Sequence, residues 1–380
     1  MHIVLLGAGR MAYGFVHDFL KNDRLKKLTV ADRSREALEA IKKRYPDSRL
    51  SIRQVEADNL TALGPLFDSA DGVASAVPYD YNLGLTKLAI EAGCHFVDLG
   101  GNNTVVDKQF SLDKQAKQAD VAIIPDCGLA PGMVSIIAAY TVDQLARVDS
   151  LKIRVGGLPL HPRTPLNYML LFSVHGLINE YTEPAAILDN GTIKTVPSMT
   201  EVEEIDFPRP FGLLEAFYTS GGTSTLPKTY EGKITYLDYK TIRYPGHCHI
   251  MKAMIDLGFC DENKIDFNGV RLSRREVFEQ MLSMQLNYED EDVALIRITA
   301  KGQKGGSPTT IQYQAIEYGD AKAGLTAMMR TTAFPAAIIL QMLIEDKITE
   351  RGVLRQELAV PGELFLQELE RRNIRFEKLS

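Results

Sequence analysis

Six residues near the amino terminus, Gly7-Ala8-Gly9-Arg10-Met11-Ala12, constrain the fold more than any other stretch. They follow the apolar run Ile3-Val4-Leu5-Leu6 and open a segment in which Met11, Phe15, Val16, Phe19 and Leu20 recur at helical spacing. A G-x-G-x-x-A element between a strand and a helix has a mechanical reading. The first glycine permits a tight turn, the second lets a pyrophosphate approach the backbone, and the small Ala12 allows close helix–strand packing. The helix N-terminus adds N–H donors and a positive dipole end. Asp32 closes the next apolar run, where a carboxylate meets ribose hydroxyls. The set predicts a dinucleotide site with Gly7, Gly9, Arg10, Met11 and Ala12 at the phosphates and Asp32 at the ribose. That carboxylate favours NAD, while the following Arg33 and Ser34 could hold a 2′-phosphate and leave NADP open.

The pattern continues through the first third of the chain. Strand candidates are His2–Leu6, Lys27–Val30, Ser51–Val55, Gly72–Val77, His95–Leu99 and Val121–Pro125, separated by amphipathic helical stretches. Apolar strand runs alternating with helices predict a parallel sheet covered on both faces, with ligands beyond the strand C-termini. Asp58, after the third strand, is a candidate for the adenine, with a helix N-cap as the alternative. Ala76, Val77 and Pro78 after the fourth strand, and Asp98 and Gly100 after the fifth, fall near the nicotinamide ribose. Asp126, after the sixth, is the carboxylate best placed for substrate chemistry, with capping again the alternative.

From about residue 150 the pattern changes to longer alternating strands, Leu151–Val155, Ile234–Tyr244, Val293–Ala300 and Thr310–Tyr318, with a Gly-rich turn at Lys301–Ser307. Helical stretches lie at His249–Leu257, Ser273–Leu286, Pro335–Leu343 and Glu363–Arg371. The fold class is therefore α/β: a Rossmann doubly wound parallel sheet over 1–132 and a second α+β domain over 133–329 with a mostly antiparallel sheet. Arg243 and His247 end a strand at a Pro-Gly turn, and an arginine fork suits a carboxylate. Glu215 and the hydroxyl-rich stretch Ser220–Thr225, with Thr223, compete for a substrate role. Capping, surface pairing and a satisfied histidine are the alternatives.

Composition removes several classes of function. Lys plus Arg is 43 and Asp plus Glu is 49, a net charge of −6, which offers no electrostatic footprint for nucleic acid or an anionic membrane. The apolar run Phe334–Ile344 is too short to span a bilayer, which needs about 20 residues. Four cysteines form no CxxC and no zinc spacing, and His247-Cys248-His249 lacks a carboxylate partner, so no metal site is expected. There is no G-x-S-x-G or H-E-x-x-H, which leaves hydrolase readings without support. A cytoplasmic protein without a targeting segment is the expectation.

Several blocks resemble one family nearly end to end: Gly7–Ala12, Val97–Gly101, Ile124–Gly132, Val155–Pro159, Leu214–Leu226 and Asp238–Tyr244. The chain is similar to the saccharopine dehydrogenase-like oxidoreductases, and within them to lysine 6-dehydrogenases. The resemblance implies NAD-dependent oxidative deamination of the lysine ε-amino group, a homodimer or homotetramer, and a segment at 330–360 returning to the nucleotide domain. One departure lies in Pro165-Leu166-Asn167-Tyr168, where Asn167 stands in place of an acid and leaves a related amine substrate open. On this reading Arg243 takes the α-carboxylate with help from Thr223, Glu215 or Asp126 holds an ammonium, and Tyr168 and Asn167 line the pocket. His247 or Asp126 accepts the proton that the reacting amine must lose. A saccharopine-type reductase, or another reductive aminase joining an amine to a carbonyl compound, is the alternative.

Overall fold

A computed structural model describes residues 1–380, and the chain divides into two units. The first comprises Met1–Tyr140 with Met329–Arg375, the second Thr141–Met328 with Phe376–Ser380.

The first unit is built on strands β1 (His2–Leu6), β2 (Lys27–Asp32), β3 (Leu50–Gln54), β4 (Gly72–Ser75), β5 (His95–Asp98) and β6 (Ala122–Ile124). They lie in the order β6-β5-β4-β1-β2-β3, all parallel, with the short strand Gly352–Val353 added beside β6. The order reverses between β1 and β4, the switch point at which doubly wound sheets bind ligands. Helices α1 (Arg10–Leu20), α2 (Arg35–Arg44), α3 (Leu60–Asp68), α4 (Asn82–Ala92), α5 (Asn103–Phe110) and α6 (Asp113–Gln118) alternate with the strands, and α7 (Met133–Val142) follows β6. Ile3, Val4, Leu5 and Leu6 are all buried, as strands covered on both faces require. Leu63, Phe67, Leu85, Ala89, Phe96 and Ile123 pack together on one side of this sheet.

Local chemistry fixes the element ends. The Ser34 hydroxyl accepts from the Ala37 amide at the start of α2, and the Asn59 side chain accepts from the Ala62 amide at the start of α3. The cap anticipated at Asp58 thus belongs to Asn59, one residue later, and Asp58 is exposed. Gly14, inside α1, sits against the returning segment: a Cβ there would lie 2.7 Å from the Met329 carbonyl oxygen and 2.8 Å from the Ala333 Cβ. A glycine costs about 1 kcal/mol in a helix interior, and this contact explains its presence.

In the second unit the strands are β7 (Arg147–Pro159), β8 (Ala185–Asp189), β9 (Thr192–Val196), β10 (Glu203–Phe207), β11 (Gly212–Tyr218), β12 (Tyr236–Arg243), β13 (Lys264–Phe267), β14 (Val270–Ser273), β15 (Asp292–Lys304) and β16 (Ser307–Tyr318). The main sheet runs β10-β11-β12-β7-β15-β16, with β8 beside β12 and β9 beside β8. Only β12 and β7 pair in parallel. The β15–β16 turn falls at Gly305-Gly306, both with positive φ. Helices α8 (Val174–Thr182), α9 (Leu226–Tyr230), α10 (His247–Asp256) and α11 (Arg274–Leu286) complete this unit. A last long helix, α12 (Ala327–Ile344), is 18 residues with a mean hydropathy of 1.4, enough by length and composition to cross a membrane. It is 83% buried within the protein, which makes it a core helix.

Alternation along β12 separates two environments. Ile242 faces a core with Leu158, Phe207, Leu214 and Leu295. On that same side Asp238 and Lys240 form an ion cluster: Arg154 donates twice to Asp238, at 2.8 and 2.9 Å, and also to Glu203, which takes Lys240 Nζ at 3.1 Å. The opposite face presents Tyr239, Thr241 and Arg243. There Phe217 packs with Tyr168, Ile178, Tyr181, Met251 and Leu282, which α8, α10 and α11 bring to the sheet.

Candidate active site

The loop after β1 has the form a dinucleotide requires. Gly7 has φ +101°, and a Cβ there would fall 2.8 Å from the Ala76 carbonyl oxygen, with Val77 just beyond. The loops after β1 and β4 therefore touch at the switch point, and only glycine fits between them. A Cβ on Gly9 would meet nothing within 4 Å, so this side of the turn is open. Gly9 is also the N-cap of α1 and offers no side-chain acceptor to the start of this 11-residue helix, whose positive dipole end suits an anion. Ala12 is fully buried, as close packing demands, while Met11 is partly buried and Arg10 and Pro78 are exposed.

Asp32 braces this cradle. One carboxylate oxygen accepts from the Ala8 amide and the other from the Ser34 amide, each at 2.7 Å. A carboxylate has about four acceptor positions, so ribose contact is compatible with this bracing. Arg33 beside it is exposed and its side chain makes no ion pair or hydrogen bond. These residues fit a nicotinamide dinucleotide, with an acid and a free cation side by side where NAD and NADP differ.

Further along the strand ends, Asp98 is buried and ties two loops together. It accepts from the Gly100 amide (2.8 Å), the Asp126 amide (3.1 Å) and the Gln109 side chain (2.7 Å). Burial pushes its carboxyl up, against these donors. Asp126 has φ +60°, is buried, and accepts from the Gly101 amide at 3.4 Å. A Cβ on Gly100 would fall 1.5 Å from an Asp126 carboxylate oxygen, so glycine is obligatory there.

The second unit holds a compact polar cluster around Arg243. Its Nε donates to the Tyr181 hydroxyl at 2.9 Å and its Nη1 to the Ile242 carbonyl at 3.0 Å, while Nη2 has no protein partner. The guanidinium lies 4.6 Å from the centre of the Tyr168 ring. Tyr168 is buried, and burial pushes its hydroxyl up to about 12. Burial disfavours the charge of Arg243, but Tyr181, Tyr168 and Glu180 around it hold its pKa above the ordinary value. Three other cations are buried in this unit, Arg154, Lys240 and Arg275, and each is ion-paired. Arg243 alone is not.

His247 does not have the properties expected of a proton acceptor. Its Nδ1 lies 2.9 Å from the Leu166 carbonyl oxygen, which can only accept, so the proton sits on Nδ1. Nε2 then accepts from the Tyr181 hydroxyl at 2.9 Å. Burial and the Arg243 charge push the ring down to about 3, outweighing the Leu166 hydrogen bond. The histidine is a neutral anchor with both nitrogens engaged.

Glu215, anticipated as an ammonium ligand, also has a structural occupation. Its two oxygens accept from the Gly246 amide (2.9 Å) and the Cys248 amide (2.7 Å), across the start of α10. Thr223 is buried and donates to the Ala186 carbonyl at 3.4 Å. Asn167 has φ +50°, a conformation asparagine tolerates better than most residues, which gives its identity a backbone reason.

The residue that sequence reasoning missed is Glu180. It lies on α8 beside Tyr181 and is partly buried, and its side chain has no hydrogen-bond or ion-pair partner. Burial pushes its carboxyl up to about 7, with Arg243 opposing. Its neighbour on α8, Tyr181, takes Arg243 Nε at 2.9 Å, and the Glu180 charge pushes the Tyr168, Tyr181 and Tyr239 hydroxyls up. Docking of the Ser220 loop onto the end of α8 holds it there: the Ser220 amide donates to the Glu180 carbonyl at 2.9 Å. The only sequence signal was an acid within the apolar spacing of Leu177, Ile178 and Tyr181.

Comparison with known proteins agrees with this architecture. The chain matches the saccharopine dehydrogenase NADP binding domain over residues 3–124 and the saccharopine dehydrogenase C-terminal domain over residues 128–374. Among curated relatives, the mouse mitochondrial alpha-aminoadipic semialdehyde synthase is 22% identical over 424 residues, covering 93% of this chain and 45% of the relative. The NADP-dependent, L-glutamate-forming saccharopine dehydrogenase of Saccharomyces cerevisiae is 22% identical, with 78% and 66% covered. The carboxynorspermidine synthase of Vibrio cholerae is 29% identical over 234 residues, 55% of each chain. The chain thus spans between 45% and 66% of the length of these relatives. Apo saccharopine dehydrogenase from Saccharomyces cerevisiae has the same fold, with a TM-score of 0.81 at 18% identity and full coverage of both chains. The homospermidine synthase of Legionella pneumophila, solved with NAD, gives a TM-score of 0.70 at 14% identity, with 99% and 90% covered. A parallel dinucleotide sheet, a second mixed sheet and two matching family domains place this chain in the saccharopine dehydrogenase family.

Proposed function

We propose that this chain oxidises the C–N bond of a free amino acid, and that the reaction is oxidative deamination of L-lysine at its ε-carbon. Lysine and water give the 6-semialdehyde, which cyclises to piperideine-6-carboxylate, together with ammonia, two electrons leaving as hydride. A bound nicotinamide dinucleotide, NAD or NADP, supplies the hydride acceptor. One observation carries the reading: Arg243 is the sole buried cation of the second unit without an acidic partner, and its Nη2 is open. A buried unpaired guanidinium is costly unless a ligand anion completes it, and a carboxylate matches its fork. A single such cation suits a substrate with one carboxylate better than one with three.

The chain's residues would orient the substrate and manage its protons. Arg243 takes the α-carboxylate, and Tyr168 and Tyr181 hold the guanidinium in place. Hydride departs only when the ε-nitrogen has a free lone pair, so the amine, near pKa 10.4 in water, must lose a proton. A dry, aromatic-lined site lowers that value. A homodimer or homotetramer in the cytoplasm belongs to the same reading, and the four unpaired cysteines suit a reducing compartment.

A saccharopine-type reductase remains the second reading, because the relatives carry that activity in their names. The test is product analysis with L-lysine and with saccharopine, each with NAD and NADP. Stoichiometric ammonia and reduced cofactor from lysine support deamination. Turnover of saccharopine alone, with no ammonia, establishes the reductase instead.

A further inference from the structure

Glu180 and Arg243 stand in an unusual relation. Tyr181, next to Glu180 on α8, takes Arg243 Nε at 2.9 Å, which brings the two residues into one cluster, yet their charges form no ion pair and share no hydrogen bond. Elsewhere in this unit buried cations have closed onto acids: Arg154 onto Asp238, Lys240 onto Glu203, Arg275 onto Glu279. Here the carboxylate is carried by α8 and the guanidinium by β12, and both supports are pinned. The Ser220 amide holds α8 through the Glu180 carbonyl, and Tyr181 and the Ile242 carbonyl hold the guanidinium. The two charges are kept apart by the scaffold, with open valence on each.

We infer that Glu180 and Arg243 form a split ion site for the α-amino-acid end of the substrate, Glu180 holding the α-ammonium and Arg243 the α-carboxylate. The inference rests on the proposed amino-acid substrate and adds the residue that reads its α-nitrogen. The geometry of an amino acid supplies the argument. Its ammonium and carboxylate hang from one carbon, so the reader of the ammonium must stand beside the reader of the carboxylate. The reacting ε-nitrogen of lysine lies four methylene groups away from that carbon. A carboxylate facing Arg243 is therefore at the binding end, not at the end where hydride leaves. Charge balance agrees: a zwitterion between Glu180 and Arg243 gives each buried charge a partner, whereas a bare carboxylate would leave Glu180 facing an anion. Glu180 takes the ammonium role that the sequence offered to Glu215, because its side chain has no other partner, whereas the Glu215 oxygens already accept from the Gly246 and Cys248 amides.

The experiment is calorimetric binding to the full-length protein with NAD present, using probes that cannot react at the ε-position. L-Norleucine carries the α-amino-acid end; hexanoate has the same chain and carboxylate but no α-ammonium. The wild-type protein is expected to bind L-norleucine about 10–100-fold more tightly than hexanoate, the range of a charged hydrogen-bonded contact. In Glu180→Gln the difference should shrink to within about 3-fold, with hexanoate binding at least as well as before. Equal binding of the two probes by the wild type, a comparison that needs no variant, would overturn the inference. So would a preference that survives intact in Glu180→Gln. Failure of the proposed function reads differently: lysine would not be oxidised while the norleucine preference persisted.

Discussion

The Tyr181 hydroxyl hydrogen-bonds to His247 Nε2 at 2.9 Å, and the Leu166 carbonyl on the other side of the ring fixes the direction of that bond. Arg243 Nε in turn donates to the Tyr181 oxygen, so proton order runs one way from guanidinium to imidazole to backbone. His247 is therefore expected to stay neutral over about pH 5–8, against an unperturbed value near 6.5. Its imidazole NMR signals should be flat across that range. A titration centred near 6.5 would contradict the assignment. Because its folded pKa, about 3, lies below the unfolded value, this histidine favours the folded state above about pH 6.5 and loses that contribution as pH falls toward 3.

Glu180 gives the opposite linkage. Its folded pKa, about 7, is above the unfolded value near 4.5, so its contribution is fully present below the unfolded pKa and is lost as pH rises through 7. Arg243, Tyr168, Tyr181 and Tyr239 are the charged and titratable groups facing it. Without ligand, Glu180→Gln should be more stable than the wild type at pH 8 by about 1–3 kcal/mol, and equal to it near pH 4. Denaturant unfolding at the two values measures this, and equal stabilities at pH 8 would contradict it.

Glu215 separates capping from binding. Glu215→Ala should cost about 1–2 kcal/mol of stability, because two amides at the start of α10 lose their acceptor. Where the variant is folded, the ratio of kcat/KM for L-lysine to that for 6-aminohexanoate should match the wild type within about 2-fold. A collapse of that ratio would return the ammonium to Glu215.

Arg33 decides between the two cofactors. Its cation is exposed and unpaired next to Asp32, so Arg33→Ala should weaken NADP binding about 10-fold and leave NAD within about 2-fold. Equal losses for both would show that Arg33 contacts the common part of the dinucleotide.

The nucleotide unit was legible in the sequence because its determinants are local. Gly7, Gly9 and Ala12 occupy one turn, and Asp32 ends the adjacent strand, so spacing alone brings them together. The β12, β15 and β16 strands were also foreseen, to within a few residues at their ends, from alternation. The segment between 160 and 235 was not: α8 and strands β8 to β11 are short, and their burial depends on pairing with distant strands. Glu180 shows the consequence. An acid on a nine-residue helix reads as a solvated face until β12 is placed beneath it, carrying an arginine 63 positions later in the chain. Glu215, singled out in the sequence by its place before the hydroxyl-rich Ser220–Thr225 stretch, lies opposite Arg243 in register, and only the fold shows that two α10 amides donate to its carboxylate.

Arg243 is the centre of the account, and its direct test compares L-lysine with cadaverine, the same diamine chain without the carboxylate. Initial rates of cofactor reduction are measured for the wild type and for Arg243→Ala, with folding checked by circular dichroism. The wild type should prefer lysine by roughly 100-fold or more in kcat/KM, and the variant should lose nearly all of that preference by losing lysine. A variant that still prefers lysine to cadaverine by the wild-type factor would contradict the assignment of Arg243 to the substrate carboxylate.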